Sequence, residues 1–226
     1  MDCWEQKTVS MFRTVFSNNG LVLLLLLTAC SGKQDINRLP YYNTPDFTPV
    51  FVASAGEANK KITHTISPFA FTDQHGKPVT DTDIEGKVHV AGFLFTSCGS
   101  ICPVMTKNLQ EVQQEFENNP DVVILSYSVT PWIDNVERLQ QYAVNNHITA
   151  PNWHLLTGDK GEIYSLARRS YFAEEDLGFT RDSTEFLHTE HILLVDRSKR
   201  IRGIYNGTLE LEIRQLIKDI QHLLNE

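Results

Sequence analysis

Two kinds of apolar pattern follow one another along this chain. Nearly continuous apolar runs at Val88–Phe95 and Val122–Val129 are rich in β-branched and aromatic residues, which predicts strands of a sheet covered on both faces. Between them, apolar residues recur at spacings of three and four, which predicts an amphipathic helix over about 101–117. The residues on its apolar face are Cys102, Met105, Leu109, Val112 and Phe116.

The alternation of strands and helices continues on both sides of this segment. Before this segment, we predict short strands at 68–72 and 77–80. After it, we predict a helix from Asp134 to about 145, a strand at 153–156 and a helix from Asp159 to about 170. An irregular acidic stretch at 171–187 is followed by predicted strands at 189–196 and 200–205 and by a helix that Thr208 caps. We therefore predict an α/β fold with a mixed, mainly parallel sheet flanked by helices. An N-terminal hairpin precedes this sheet, and a C-terminal hairpin plus helix adds antiparallel strands at its edge.

The amino-terminal segment has the pattern of a secretory signal. Lys7 and Arg13 precede an apolar run over 20–29, which is well short of the roughly 20 residues that a membrane span needs. The end of this run, Leu27–Cys30, resembles a bacterial lipobox. That resemblance implies cleavage before Cys30 and a diacylglycerol on its thiol.

The domain organisation follows from this signal. Residues 1–29 are predicted to be a lipoprotein signal peptide, and 30–60 a tether in which scattered prolines prevent a regular element. Residues 61–226 are predicted to be the folded domain. We expect the mature protein to be a membrane-anchored lipoprotein outside the cytoplasm, in a bacterial cell envelope.

Charge and cysteine usage narrow the function further. The net charge of −8 gives no basic surface for nucleic acid, so nucleic acid is not an expected partner. Once Cys3 is removed with the signal peptide and Cys30 is lipidated, only Cys98 and Cys102 remain as thiols. In an oxidising compartment, two cysteines four residues apart form a disulfide or bind a metal ion.

Cys98 and Cys102 lie where the predicted central strand turns into the helix. Pro103 suits the first helical turn, where outward-pointing backbone N–H groups favour thiolate over thiol. Thiolates are soft ligands that select Cu(I) or zinc, but two sulfurs leave a metal under-coordinated. A third ligand is expected from a histidine. His188 and His191, beside the strand after the irregular stretch, are the candidates.

Three stretches of this sequence carry a family resemblance: Thr96–Pro103 with its two cysteines, Phe69–Gly76, and Trp153–Gly158. On these motifs, the chain from about 39 to 225 resembles the SCO/SenC family. This family comprises membrane-tethered, thioredoxin-like proteins linked to assembly of the copper sites of cytochrome c oxidase. The resemblance implies that Cys98, Cys102 and His188 bind one copper ion, as Cu(I) or Cu(II).

The resemblance also implies partners and shows departures. The expected partner is a subunit of cytochrome c oxidase that carries a copper site, and another copper carrier or a thiol reductant is a further possible partner. The lipid anchor makes the membrane a further expected partner.

This chain departs from the family pattern at two places. At Thr130, where relatives usually carry an aspartate before proline, this chain lacks a carboxylate close to the copper site. The turn at Asp196–Lys199 lacks the usual proline and glycine.

Three functions remain open from the sequence. The first is non-enzymatic delivery of copper bound by Cys98, Cys102 and His188. The second is a thiol–disulfide oxidoreductase, in which Cys98 attacks and Cys102 resolves, reducing the cysteines of a metalloprotein partner. The third is a structural disulfide in a binding domain, although so short a loop adds little stability. We favour copper delivery.

Overall fold

The computed structural model describes residues 38–173 and 189–226. The strands in this part of the chain are β1 (Tyr41–Tyr42), β2 (Pro49–Val50), β3 (Ala70–Thr72), β4 (Pro78–Thr80), β5 (Val88–Leu94), β6 (Val122–Ser128), β7 (Trp153–Leu156), β8 (His191–Val195) and β9 (Ile201–Asn206). The helices are α1 (Ala55–Lys61), α2 (Ile101–Phe116), α3 (Val136–Asn145), α4 (Lys160–Arg169) and α5 (Glu210–Leu224).

Within the described residues, one mixed sheet has the strand order β2-β1-β9-β8-β5-β6-β7, and β3 pairs with β4 in a separate hairpin. β5, β6 and β7 are parallel. β8 is antiparallel to both β5 and β9, so the C-terminal hairpin lies inside the sheet. The predicted mixed α/β fold is confirmed. The expectation of a mainly parallel sheet is wrong, because only the pairs β5–β6 and β6–β7 are parallel among the described strands of this sheet. The expectation that the hairpin lies at the edge is also wrong, because β1 and β2 extend the sheet beyond β9.

The two faces of the sheet pack against different elements, because successive strand side chains point to opposite faces. From β5, Ala91 and Phe93 contribute to a core cluster shared with α4 and the β3–β4 hairpin. Val90 and Leu94 contribute to a second cluster, shared with α2, α3 and α5. Every residue of β5 and β6 is buried, which explains why both sequence runs are almost entirely apolar.

The helix starts agree only partly with the predicted caps. α4 begins as predicted, since the side chain of Asp159 accepts a hydrogen bond from the backbone N–H three residues on. Asn135, and not Asp134, caps α3 in the same way. The cap position of α5 is Leu209, so the prediction that Thr208 caps this helix is wrong. The hydroxyl of Thr208 donates instead to the side chain of Asn206.

Residues 38–60 do not have the structure expected of a tether. They contain β1, β2 and most of α1, and β1 pairs with β9. The buried Arg202 side chain donates to the backbone carbonyls of Leu39 and Pro40 and stacks over the ring of Tyr41, with 4.0 Å between guanidinium and ring centre. The prolines therefore exclude long elements but not packing on the sheet, and the folded domain begins earlier than residue 61.

The predicted signal peptide, Cys30 and the first part of the tether precede the described residues. In the part of the chain that the structure describes, no helix combines the length and the apolar character that crossing a membrane requires. The lipidation of Cys30 therefore stays a prediction.

Candidate dithiol and metal site

The two cysteines lie at the carboxyl end of β5, where the chain turns into α2. The backbone N–H of Cys98 donates to the carbonyl of Phe95 at 3.2 Å, which closes the turn that follows the strand. The backbone N–H of Cys102 donates to the Sγ atom of Cys98 at 3.5 Å. Both are free thiols, with Cys98 partly exposed and Cys102 buried. The predicted juxtaposition of two sulfurs at the start of a helix is present.

The surroundings of the two thiols shift their pKa values in opposite directions. Partial burial alone would raise the pKa of the Cys98 thiol, but hydrogen bonds from the N–H groups of Cys102, Ser100 and Ile101 and from the Cys102 thiol outweigh it, and the pKa is lowered. Burial raises the pKa of the Cys102 thiol to about 12, although the N–H of Phe95 acts in the other direction. Cys98 is therefore the more nucleophilic thiol at neutral pH.

The inner side of the site is closed. Behind Cys102, a space of about 10 Å³ is lined by residues that include Met105, Leu109 and Ile192, and it holds at most one water molecule. Met105 is buried in the core cluster of α2, as its helical spacing indicates. A further ligand for a metal on the two sulfurs must therefore approach from the solvent side.

His188 lies outside the described residues, but the chain that follows it reaches the cysteine end of the sheet. β8 runs antiparallel to β5 with Val195 opposite His89, so β8 begins near the carboxyl end of β5. The carbonyl of Glu190 accepts a hydrogen bond from the N–H of Gly207 at 2.8 Å. A Cβ atom at Gly207 would lie 3.1 Å from the terminal methyl of Met105, one turn from Cys102.

The other candidate, His191, belongs to the opposite side of the sheet. Its ring lies edge-on to Phe47, with 5.9 Å between ring centres, and Phe47 packs against the cluster of α4. The next residue, Ile192, belongs to the cluster that contains Cys102. The His191 side chain therefore lies on the face of β8 opposite to the cluster that contains Cys102.

Three further histidines have structural contacts. His89 is fully buried, and its Nε2 atom lies 3.1 Å from the hydroxyl of Tyr171. Nδ1 of His154 lies 3.3 Å from Asp73 Oδ2, and His64 stacks on an aromatic ring. Among the described residues, no group of three or more His, Cys, Asp or Glu side chains is arranged to hold a metal ion.

A buried carboxylate beside the thiol site was missed from the sequence. Asp134 is fully buried and accepts from the hydroxyl groups of Thr96, Ser128 and Thr130 at 2.5, 2.6 and 2.8 Å, and from the N–H of Thr96 at 3.2 Å. The sequence interpretation placed Asp134 in a helix cap. The signal that could have corrected it is the second capping residue, Asn135, directly after it.

An open groove of about 530 Å³ begins beside the thiol site. Thr96, Ile133, Arg138 and Tyr142 are among the residues that line it. Burial raises the pKa of Tyr142, and its hydroxyl lies 2.8 Å from that of Thr106, which is in the same helix as Cys102. A partner molecule can therefore approach the site along this side.

These features define a class of protein. A mixed sheet flanked by helices, with paired cysteines where a central strand passes into a helix, is a thioredoxin-like fold carrying a dithiol site. The family model for SCO1/SenC matches residues 57–225, which is most of the chain. The chain belongs to the SCO1/SenC family.

Individual relatives agree with this assignment. The SCO1 protein homolog of Bacillus subtilis (strain 168) is 31% identical over 202 residues, which cover 88% of this chain and 92% of the relative. A SCO1/SenC family lipoprotein from Bacillus anthracis str. Ames superposes with a TM-score of 0.61 at 30% identity, covering 72% of this chain and 96% of that chain.

Two more solved structures are similar. BsSco, described as a member of the Sco family of cytochrome c oxidase assembly proteins with a disulfide switch, has a TM-score of 0.61 at 30% identity, covering 72% of this chain and 94% of that chain. ScoI of Bradyrhizobium japonicum, solved with copper bound, has a TM-score of 0.56 at 27% identity, covering 70% of this chain and 99% of that chain.

Proposed function

We propose that this protein binds copper as its cargo through Cys98, Cys102 and His188 and delivers it for assembly of a copper site of cytochrome c oxidase. The observation that carries the proposal is the pair of free thiols at the start of α2, with the N–H of Cys102 directed at Cys98 Sγ. Two similar proteins support it, since ScoI was solved with copper bound and BsSco is described as a member of a family of cytochrome c oxidase assembly proteins.

The donor set fits a soft metal ion. Two sulfurs at one helix start favour copper over hard cations, and thiolate character at Cys98 is already favoured by the surrounding N–H groups. Cys102, whose pKa burial raises to about 12, must release its proton when it binds metal. Copper affinity is therefore expected to increase with pH.

His188 is proposed as the third ligand. Its support is the position of β8, whose start lies near the carboxyl end of β5, and the contact of Glu190 with Gly207 beside Met105. These contacts bring the residues just after His188 to the cysteine end of the sheet. An imidazole would complete a site of two sulfurs and one nitrogen.

We also propose that the protein acts from a lipid anchor outside the cytoplasm. Support comes from the lipobox-like Leu27–Cys30 and from the Bacillus anthracis relative, which is described as a lipoprotein. In this proposal residues 1–29 are a cleaved signal peptide and Cys30 carries the lipid. The copper-bearing partner is then itself a protein of the same membrane.

A second candidate function is thiol–disulfide exchange, which the unequal thiols favour. The Cys98 thiolate would attack one sulfur of a partner's disulfide, forming a mixed disulfide and releasing the other sulfur as a thiolate. Cys102 would then lose its proton and displace the partner's second thiolate. The products are a Cys98–Cys102 disulfide and a reduced partner, with two electrons transferred. The protein would be an enzyme only in this function.

The test is anaerobic titration of the reduced, full-length protein in detergent with Cu(I), against a chromogenic competitor. We expect one tight equivalent in the wild type and strong weakening in Cys102→Ser and His188→Ala. The matched control is His191→Ala, which removes an imidazole on the opposite face of the sheet and should leave affinity unchanged.

The outcomes separate the two functions. A wild type that does not compete for Cu(I) contradicts copper delivery and leaves thiol–disulfide exchange as the leading function. If His188→Ala binds as tightly as the wild type, the three-ligand assignment is wrong even though copper binds.

A further inference from the structure

Asp134 is a buried carboxylate that neither the proposed copper chemistry nor thiol exchange uses. Its Oδ2 atom accepts from the hydroxyls of Ser128 and Thr130 and from the N–H of Thr96, while Oδ1 accepts from the Thr96 hydroxyl. Both carboxylate oxygens therefore act as acceptors for the four donors. Asp134 therefore joins the end of β5 to the end of β6.

Thr96 is part of the turn that positions the reactive thiol. In this turn the N–H of Cys98 donates to the carbonyl of Phe95, so Thr96 is the first of the two residues between them. The N–H of Phe95 also interacts with the Cys102 sulfur. A displacement of this turn would change the position of Cys98 Sγ relative to the N–H groups of α2.

Arg138 holds the same threonine from the solvent side. Its Nε atom donates to the hydroxyl of Thr96 at 2.6 Å and lies 3.5 Å from Oδ1 of Asp134. The Thr96 hydroxyl thus donates to a carboxylate and accepts from a guanidinium, which fixes its orientation. Both of these partner side chains come from the segment that starts α3.

We propose that Asp134 is a positioning residue for the thiol site: by holding Thr96, it fixes the turn from Phe95 to Cys98 and so places Cys98 Sγ against the helix amides. The inference rests on the proposed role of Cys98 as the reactive thiol. It assigns Asp134 an effect on the thiol in addition to the stability that any buried, bonded carboxylate provides.

The structure indicates how Asp134→Asn would act. The three donors at Oδ2 would keep the amide oxygen on their side, which turns the amide NH₂ towards the Thr96 hydroxyl. That hydroxyl already accepts from Arg138, so the new amide would present a donor where the turn needs an acceptor. The Thr96 hydroxyl then loses its carboxylate acceptor, so the charge-assisted bond that orients this side chain is removed while the shape of residue 134 is kept.

The experiment measures the rate at which iodoacetamide alkylates Cys98 as a function of pH, in the reduced full-length protein, with the site identified by peptide mass spectrometry. We expect Asp134→Asn to move the alkylation profile of Cys98 to higher pH, with a rate at pH 7 about three- to tenfold lower. Thr96→Val should reproduce the shift, and Thr96→Ser, which keeps the hydroxyl, should not.

The matched control is Asp196→Asn. Asp196 is also buried and accepts backbone N–H bonds in a turn, from Ser198 and Arg200, but that turn joins β8 to β9. Denaturant unfolding should show a loss of stability in both Asn variants, while only Asp134→Asn shifts the Cys98 profile.

An unchanged Cys98 profile in Asp134→Asn and Thr96→Val would overturn the proposal and leave Asp134 a purely stabilising role. If Asp134→Asn does not fold, Thr96→Val decides alone. Because alkylation needs no copper and no partner, failure of this inference is distinguishable from failure of the proposed copper function.

Discussion

At the level of single residues, burial separates groups that are chemically alike. Cys98 and Cys102 are four residues apart, yet N–H groups lower the pKa of the first and burial raises the pKa of the second to about 12. The same effect acts on His89, where burial, with a smaller contribution from the charge of Lys199, lowers the pKa to about 3.

The difference between the thiols predicts selective alkylation. In the reduced wild type at pH 7, Cys98 should react with iodoacetamide more than about tenfold faster than Cys102, because only thiolate reacts. Peptide mass spectrometry over a time course measures both rates. Comparable rates for the two residues would contradict the assignment of Cys98 as the attacking thiol.

The buried histidine predicts acid sensitivity. Between pH 6.5 and about 3, the unfolded chain binds a proton at His89 that the folded protein excludes. Neutral His89 therefore does not destabilise the fold above pH 6.5, and the free energy of unfolding decreases as the pH falls through this window. The contribution is about 1.4 kcal/mol per pH unit in this window. Denaturant unfolding of His89→Gln at several pH values should show a flatter dependence than the wild type.

The control for this prediction is His75→Gln. His75 is exposed in the turn between β3 and β4, so its substitution should leave the slope of stability against pH unchanged. An equally steep slope in wild type and His89→Gln would show that carboxyl groups alone account for the acid sensitivity.

At the level of elements, three segments meet at Gly207. A Cβ atom there would lie 2.9 Å from Cγ1 of Ile192, 3.1 Å from Cε of Met105 and 3.2 Å from the carbonyl of Glu190. These residues belong to β8, α2 and the residues just before β8. The absence of a side chain at 207 therefore lets the end of β9 approach the helix that carries Cys102.

Gly207→Ala is accordingly expected to destabilise the protein by about 1–3 kcal/mol, since overpacking forces these segments apart. The matched control is Gly56→Ala in α1, where the nearest atom to a new Cβ is Ser54 Oγ at 3.9 Å. Alanine has a higher helix propensity, so this variant should be neutral or slightly more stable. Thermal and denaturant unfolding measure both; a neutral Gly207→Ala would show that the three segments can separate without cost.

At the level of the whole molecule, the sheet places the start of the domain far from the thiols. Ile201 pairs with both Tyr42 and Val195, and Val195 pairs with His89 near the start of β5. The first residues of the domain therefore pair with the end of the sheet that lies opposite to Cys98. The proposed thiol site and the first residues of the domain therefore lie at opposite ends of the sheet.

Arg202 organises the end that the first residues of the domain contact. Its guanidinium donates to the carbonyls of Leu39 and Pro40 and to the carboxylates of Asp196 and Glu226, so all of its N–H donors have partners. We expect Arg202→Met to lower the free energy of unfolding by about 3 kcal/mol, because it leaves buried acceptors and carboxylates unpaired. Limited proteolysis should also become faster at residues 38–50.

The control is Arg214→Met, which removes an exposed i,i+4 pair with Glu210 and should change stability by less than about 0.5 kcal/mol. Equal effects of the two substitutions, or unchanged proteolysis in Arg202→Met, would mean that Arg202 does not hold the first residues of the domain. Copper binding at the distant thiols should be unaffected in both variants.

The sequence by itself determined the identity of most elements and the place of the dithiol. Nearly continuous apolar runs form β5 and β6 because both faces of the sheet are covered, and the helical spacing of apolar residues predicted the end of α2 to within one residue. The cysteines and Pro103 lie at the predicted junction because strand, turn and helix are set by neighbouring residues. Family resemblance, which the family model confirms, also came from these local motifs.

Only the tertiary structure decided features that depend on contacts between distant residues. The position of the C-terminal hairpin inside the sheet depends on β1, and Arg202 holds Leu39 across 163 positions of sequence. The sequence around Asp134 has the local pattern of a helix cap. Its actual partners include Thr96, 38 residues earlier, so no periodicity in its own segment could reveal its contact with the turn that carries Cys98.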